Sequence, residues 1–317
     1  METAVKRLAI LATVGMFLVL IMGSTVTDTG SGEGCGRSWP LCHGEFLPEY
    51  AVETAIEYSH RAVTAVEGIL IVAVGIGTLA LHRRRRDVKA LVGLMVGSLL
   101  LQAGMGASAV MYPQDSTILA LHFGISLICF ASTFLVLRLL YQGRQERERG
   151  VQTAVQTPSG YRWLAWGTLL FAITVAYFGA YMRHSGNELA CSTWPSCNGA
   201  VVPDLTGPEG VAFAHRLAAM VCGFMVAGLT LWSARLGPAG RSLYLVNLAS
   251  LGLVIVQSIS GAAVVIDDLS LWSTLTHAGL MALLFICLAD GCYQLVPKTR
   301  SAPTRHHVPQ GATLTTR

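Results

Sequence analysis

The chain alternates between long apolar runs and short polar stretches. Eight runs stand out: Leu8–Thr27, Tyr58–Leu81, Ala90–Met111, Ile118–Leu140, Trp163–Met182, Ala212–Ser233, Leu243–Ile266 and Leu271–Val296. Each approaches the ~20 apolar residues that a helix needs to cross the hydrocarbon core of a bilayer. The first run follows Lys6 and Arg7 and has the outline of a signal peptide. Its length, and the mid-chain position of the fifth run that matches it, make it a retained helix instead. The pattern therefore predicts an all-α integral membrane protein with eight transmembrane helices. Composition fits this class: 53% of the 317 residues are hydrophobic and 13% charged, about half the charged share of ordinary soluble domains.

The second four runs repeat the first four. His60-Arg61-Ala62 aligns with His215-Arg216-Leu217, Gln102 with Gln257, Gly106-Ala107 with Gly261-Ala262, and His122-x-Gly124 with His277-x-Gly279, all at an offset of 155. Trp39-Pro40, Cys42 and Gly44 recur at the same offset as Trp194-Pro195, Cys197 and Gly199. So many matches at one offset exclude coincidence. An even number of spans per repeat gives both halves the same orientation, related by an axis along the membrane normal. The expected architecture is two tandem four-helix bundles related by a pseudo-two-fold axis, residues 1–150 and 151–317, the second ending in a polar tail. The charged segment Tyr141–Arg162, with Pro158, joins them.

The net charge is +4, and the basic residues sit in alternate short loops. Lys6 and Arg7, Arg83–Arg86 with Lys89, Arg144, Arg147, Arg149 and Arg162, Arg235 with Arg241, and Lys298, Arg300, Arg305 and Arg317 all fall on one side. That side is expected to be cytoplasmic, with both termini. The opposite side carries two long loops, 28–57 and 183–211, and two short ones, 112–117 and 267–270. Lysine and arginine distributed this way are a topology signal and give no nucleic-acid footprint.

Within this frame four histidines form two matched pairs, His60 with His122 and His215 with His277, each 62 positions apart. All four fall about one turn into a span from the outer side. Ionisable groups at membrane depth usually serve a function. Two facing imidazoles at one depth can clamp a metal between helices, most simply a haem iron. The plain alternative is four interfacial histidines satisfied by water or backbone, which the duplication disfavours. No thiolate or carboxylate cluster completes a tetrahedral set for zinc or copper, and His-Glu-x-x-His is absent. His43, His82 and His184 read as loop or boundary residues, and His306 and His307 as part of the tail.

The repeat breaks at informative places. Glu57 lies three residues before His60, on the same helical face; its counterpart is Ala212. Such a carboxylate can exchange a proton or stabilise developing positive charge, or it can simply favour a helix start through the dipole. Glu67 continues that face deeper into the span, opposite Cys222 in the repeat, and reads as a functional candidate or a hydrogen-bonded packing residue. Asp290 is expected at the cytoplasmic interface. Arg61 and Arg216 either pair with haem propionates or anchor their helices.

Of eight cysteines, Cys35 and Cys42 share the first long outer loop and Cys191 and Cys197 the second. The outer side permits disulfides, so Cys35–Cys42 and Cys191–Cys197 are the expected bonds. Each is either a loop staple or, for the first pair beside Glu57, an electron-exchanging or haem-admitting element. Cys129, Cys222, Cys287 and Cys292 fall within spans as small packing residues.

The stretches Gly30-Ser-Gly-Glu-Gly-Cys-Gly-Arg-Ser-Trp-Pro-Leu-Cys-His-Gly44, Glu57-Tyr-Ser-His-Arg61, Leu121-His-Phe-Gly-Ile-Ser126 and Gly179-Ala-Tyr-Met-Arg-His184 resemble the haem A synthase family, over nearly the whole chain. The resemblance implies a cell-membrane enzyme, an oxidoreductase that converts a ring methyl of haem O to a formyl group, giving haem A for terminal oxidases. It further implies that His60 and His122 hold the substrate haem O and that His215 and His277 hold a resident haem b. Glu57 would be the catalytic carboxylate, and Cys35 and Cys42 the functional pair. A membrane enzyme supplying haem O and an unidentified electron acceptor are implied partners, and homo-oligomerisation is left open. Two other classes share the histidines: a non-catalytic di-haem b-type membrane cytochrome and a haem transporter. Neither gives Glu57 a reason to lack a counterpart.

Overall fold

The computed structural model describes residues 1–46, 51–112, 115–149 and 155–297, without the side chains of 143–149. The tail basics from Lys298 onward, with His306 and His307, lie outside the described residues. The helices are α1 (Glu2–Asp28), α2 (Val52–His82), α3 (Arg86–Met111), α4 (Ser116–Arg149), α5 (Ser159–His184), α6 (Pro208–Ser233), α7 (Arg241–Ile266) and α8 (Leu271–Gln294). All eight are long and apolar enough to cross a bilayer. The chain is a multi-pass membrane protein, and exposed Ile69, Ile76, Leu100, Phe224, Ile259 and Trp272 are the kind of surface that lipid covers.

Several helices begin earlier than the apolar runs do. α2 starts at Val52 and α6 at Pro208, so Glu57 and His60 stand inside the helix rather than at its mouth. Polar residues continue the backbone ladder beyond the hydrocarbon, which an apolar-run count misses. Proline at the first turn of α6 has no amide to leave unpaired. Asp115 caps α4 by accepting the amides of Thr117 and Ile118 at 2.7 and 3.1 Å, and these bonds hold its carboxyl below the ordinary range. Ser270 caps α8.

In the first half α1 packs on α2 and α4, and α3 on α2 and α4. In the second, α5 packs on α6 and α8, and α7 on α6 and α8. Between them α1 meets α8, α5 meets α4, and α4 meets α8. α4 is the inner helix: 67% of its spanning window is buried, against 28% for α1, α2 and α5. The core joins Met16 of α1, Leu127 and Phe130 of α4 and Phe285 and Leu288 of α8.

Two ion pairs fasten helices across this seam. At the end bearing the cysteine loops, Asp28 accepts from Arg183 Nε at 2.9 Å and from Thr274 Oγ1 at 2.6 Å, tying α1 to α5 and α8. Arg183 also pairs with Glu188. At the opposite end Arg138 of α4 pairs with Asp290 of α8. Asp290, expected at the cytoplasmic interface, is only 4% exposed. A guanidinium across a helix contact offsets part of the cost of burying that carboxylate. The free cysteines Cys129, Cys222 and Cys292 are buried.

Candidate functional sites at two histidine pairs

Each histidine rests against a glycine of the preceding helix. A Cβ on Gly23 would come within 3.4 Å of His60, on Gly106 within 3.2 Å of His122, on Gly179 within 2.9 Å of His215, and on Gly261 within 3.1 Å of His277. Four helices are thus cut back to glycine where an imidazole must sit. His60 and His122 lie within electrostatic reach of one another, as do His215 and His277. The fold therefore brings together the partners that the sequence paired. His184, expected at a boundary, is the last residue of α5 and lies within electrostatic reach of His122, so the second half contributes a histidine near the first pair.

The surroundings of the rings differ. The Nδ1 atom of His60 is buried without a protein partner, whereas the rings of His122 and His215 face the backbone carbonyls of Gln102 and Val175. His277 is held on both sides, by Ser260 Oγ at 2.9 Å from Nδ1 and Gln257 Nε2 at 3.2 Å from Nε2. In the first half Gln102 instead points to Met16 Sδ at 3.9 Å. A buried ring nitrogen left without a partner is costly unless a group from outside the chain satisfies it. Glycine seats and paired rings suit histidines that would hold a haem iron between two helices. Among the described residues no three His, Cys, Asp or Glu side chains converge on one point.

The two cysteine loops are near copies. Cys35–Cys42 and Cys191–Cys197 are disulfide-bonded. Both loops contain a cis Trp-Pro bond, Trp39-Pro40 and Trp194-Pro195. In both a left-handed pair follows the second cysteine, His43-Gly44 and Asn198-Gly199, and a bridge closes the turn, Cys42 to Glu45 and Cys197 to Ala200. All four sulfur-bearing residues are buried, at 0–1% exposure.

What fastens each loop is different. Arg216 Nη1 donates to the carbonyls of Thr193 and Ser196 at 2.8 and 2.9 Å, and its Nη2 to Cys191 O at 2.9 Å. Arg61 Nη1 donates to Ser38 O at 2.7 Å, but its Nη2 pairs with Glu57. The other Glu57 oxygen accepts the Cys35 amide at 2.7 Å. Glu57 is 3% exposed. A buried carboxylate, an arginine and a disulfide thus form one unit above His60, and the second half has no equivalent. Both arginines fasten their loops, and Arg61 Nε remains buried without a partner.

Glu67 is also 3% exposed. Its carboxyl fills a notch left by Gly15, where a Cβ would come within 2.0 Å of Oε2, and Oε1 has no hydrogen-bond partner. Sequence reasoning missed the glycine seats at Gly23 and Gly179, the Gly15 notch, Ser260, the Asp28–Arg183–Thr274 clasp and the placement of His184. Only the Gly106/Gly261 match carried a signal within the repeat.

These features define a multi-pass, all-helical membrane protein with two histidine pairs seated on glycine, one of them beside a buried carboxylate and a disulfide loop. The chain belongs to the COX15-CtaA family, described as cytochrome oxidase assembly protein, whose family model matches residues 6–289. It is similar to a protein named Heme A synthase from Symbiobacterium thermophilum, 37% identical over 94% of this chain and 97% of that one. Likenamed proteins of Shouchella clausii and Bacillus licheniformis are 36% and 38% identical over 95% and 93% of this chain, and over 99% and 96% of their own lengths.

Proposed function

We propose that the chain acts as a haem A synthase, oxidising one ring methyl of haem O to the formyl group of haem A. The full-length similarity to proteins of that name supports the activity. The observation that carries the assignment within this molecule is the Glu57–Arg61–Cys35 unit, present over the first histidine pair and absent over the second. On this reading residues 1–150 form the substrate half and residues 151–317 the cofactor half. His60 and His122 hold haem O, and His215 and His277 hold a resident haem b. A b-type haem supplies reversible one-electron transfer when bound.

The two halves form tandem four-helix bundles about a pseudo-two-fold axis along the membrane normal. Reciprocal packing of α1 on α8 and α5 on α4 supports this. So does the pair Asp28–Arg183, whose members occupy equivalent repeat positions. The basic loops face the cytoplasm with both termini, and the cysteine loops and haem sites lie toward the outer face.

The chemistry follows from the residues. With His60 and His122 both committed to the substrate iron, dioxygen has no open position there. Oxidation by electron removal, with water attacking the methyl carbon, needs none. Conversion of methyl to formyl by water releases four electrons, which leave to an acceptor outside the chain, and four protons. Glu57, buried and aimed by Arg61 and the Cys35 amide, stabilises the positive charge that develops on the oxidised ring. Arg61 and Arg216 keep the loops closed over the two sites, and Arg61 Nε offers a further donor to a propionate. Haem O arrives from the membrane enzyme that makes it. The test is turnover in isotopically labelled water: the formyl oxygen carries the water label, and a formyl oxygen labelled only from dioxygen overturns the route.

A di-haem cytochrome would hold haem B in both halves, and a haem transporter would yield no new pigment. Neither reading uses the Glu57 unit.

A further inference from the structure

We infer that Ser260 is the positioning residue of the second histidine pair, fixing the tautomer of His277 so that Nε2 is the atom offered to an iron. The inference rests on the assignment of His215 and His277 to the resident haem.

Ser260 Oγ lies 2.9 Å from His277 Nδ1 and 2.9 Å from the Gln257 carbonyl oxygen one turn earlier on α7. A serine hydroxyl has one proton to donate. The carbonyl can only accept, so the proton goes to Gln257 O, and the hydroxyl oxygen is left to accept from Nδ1–H. The ring then carries its proton on Nδ1 and its lone pair on Nε2. The contact on the other edge demands the same arrangement. Gln257 Nε2 stands 3.2 Å from His277 Nε2, and an amide nitrogen donates, so Nε2 accepts. Two contacts on opposite edges of the ring agree on one tautomer, and it is the one that presents Nε2 for ligation. An iron held at Nε2 would take the place of the Gln257 amide on that edge of the ring.

The first half keeps the histidine and the glutamine but not the lock. Met105 stands at the position equivalent to Ser260. The His122 ring has only the Gln102 backbone carbonyl to face, with no hydroxyl beside it, and the Gln102 side chain turns to Met16. A partner on the second ring nitrogen fixes a ligand's orientation and raises its basicity. His277 is therefore a rigid, electron-rich ligand suited to a haem that stays. His122 lacks the serine contact, as suits a haem that must enter and leave.

The test uses the full-length protein purified in detergent with its haem. Ser260→Ala is expected to retain haem b with a raised midpoint potential and to release it to apomyoglobin about tenfold faster. Ser260→Thr keeps the hydroxyl and is expected to restore both values. Wild-type potential and release rate in Ser260→Ala would overturn the inference. Met105→Ser supplies an independent arm that does not depend on Ser260→Ala folding. It is expected to slow loss of haem O from the first half, and unchanged loss would count against the lock. His277→Ala separates the two levels: full haem b content in that variant sinks the underlying assignment rather than the role of Ser260.

Discussion

In the first half Arg61 divides its guanidinium between two loop carbonyls and Glu57, while in the second Arg216 gives its donors to loop carbonyls alone. The loops above them have the same disulfide, the same cis bond and the same left-handed pair. Beneath them, His277 is pinned by the side chains of Ser260 and Gln257, whereas His122 has neither side-chain contact. Duplication supplied a frame with two equivalent seats. Divergence then placed charge over one seat and rigidity under the other. What distinguishes the halves is therefore not the histidines, which both share, but the few positions where the repeat fails.

The strongest way to break this comparison is to remove a ligand from each half. His277→Ala is expected to abolish the b-type absorption spectrum of the purified protein. His122→Ala is expected to keep it while losing haem O and haem A. Equal loss in both variants would make the halves equivalent. Next in size is the seat. Gly179→Ala places a Cβ within 2.9 Å of His215. Overpacking of about 1–3 kcal/mol is expected to lower haem b content about tenfold, measured by pyridine haemochrome. Gly23→Ala, at 3.4 Å from His60, is expected to leave haem b content unchanged.

The disulfides give a finer contrast. Replacing Cys191 and Cys197 by serine is expected to lower thermal stability by about 2.5 kcal/mol through lost loop constraint, with haem A formation retained. Replacing Cys35 and Cys42 has a comparable cost in stability. It should also cut haem A formation severalfold, because the Cys35 amide that holds Glu57 moves. Similar haem A yields from the two double variants would remove the loop from the chemistry. The smallest effect is expected at the seam. Asp28→Asn weakens a partly exposed clasp between α1, α5 and α8 by about 1 kcal/mol, read as a lower melting temperature with wild-type pigment content.

Much of this fold was legible because a bilayer imposes a simple rule. Apolar runs of spanning length must be helices, and a fixed repeat offset forces the same helices twice. The histidine pairing and the Glu57/Ala212 difference were visible for the same reason, since each is a comparison within one chain. The rest depends on contacts between helices. Gly15 makes sense only once Glu67 is seen to fill its notch, and Ser260 only once α7 and α8 bring it to His277. Asp28 and Arg183 sit at equivalent repeat positions with opposite charges, which was readable in the sequence. That they touch follows only from where the halves meet. His184 sits at a helix end in the sequence and acquires a neighbour in His122 through the packing of α4 on α5.

The central claim is that the first half holds a haem as substrate and that Glu57 acts on it. Extraction and chromatographic separation of the pigments from purified Glu57→Gln tests this most directly. The account predicts haem B and haem O with no haem A. Haem A at the wild-type level, or haem B as the sole pigment in both halves, would contradict it.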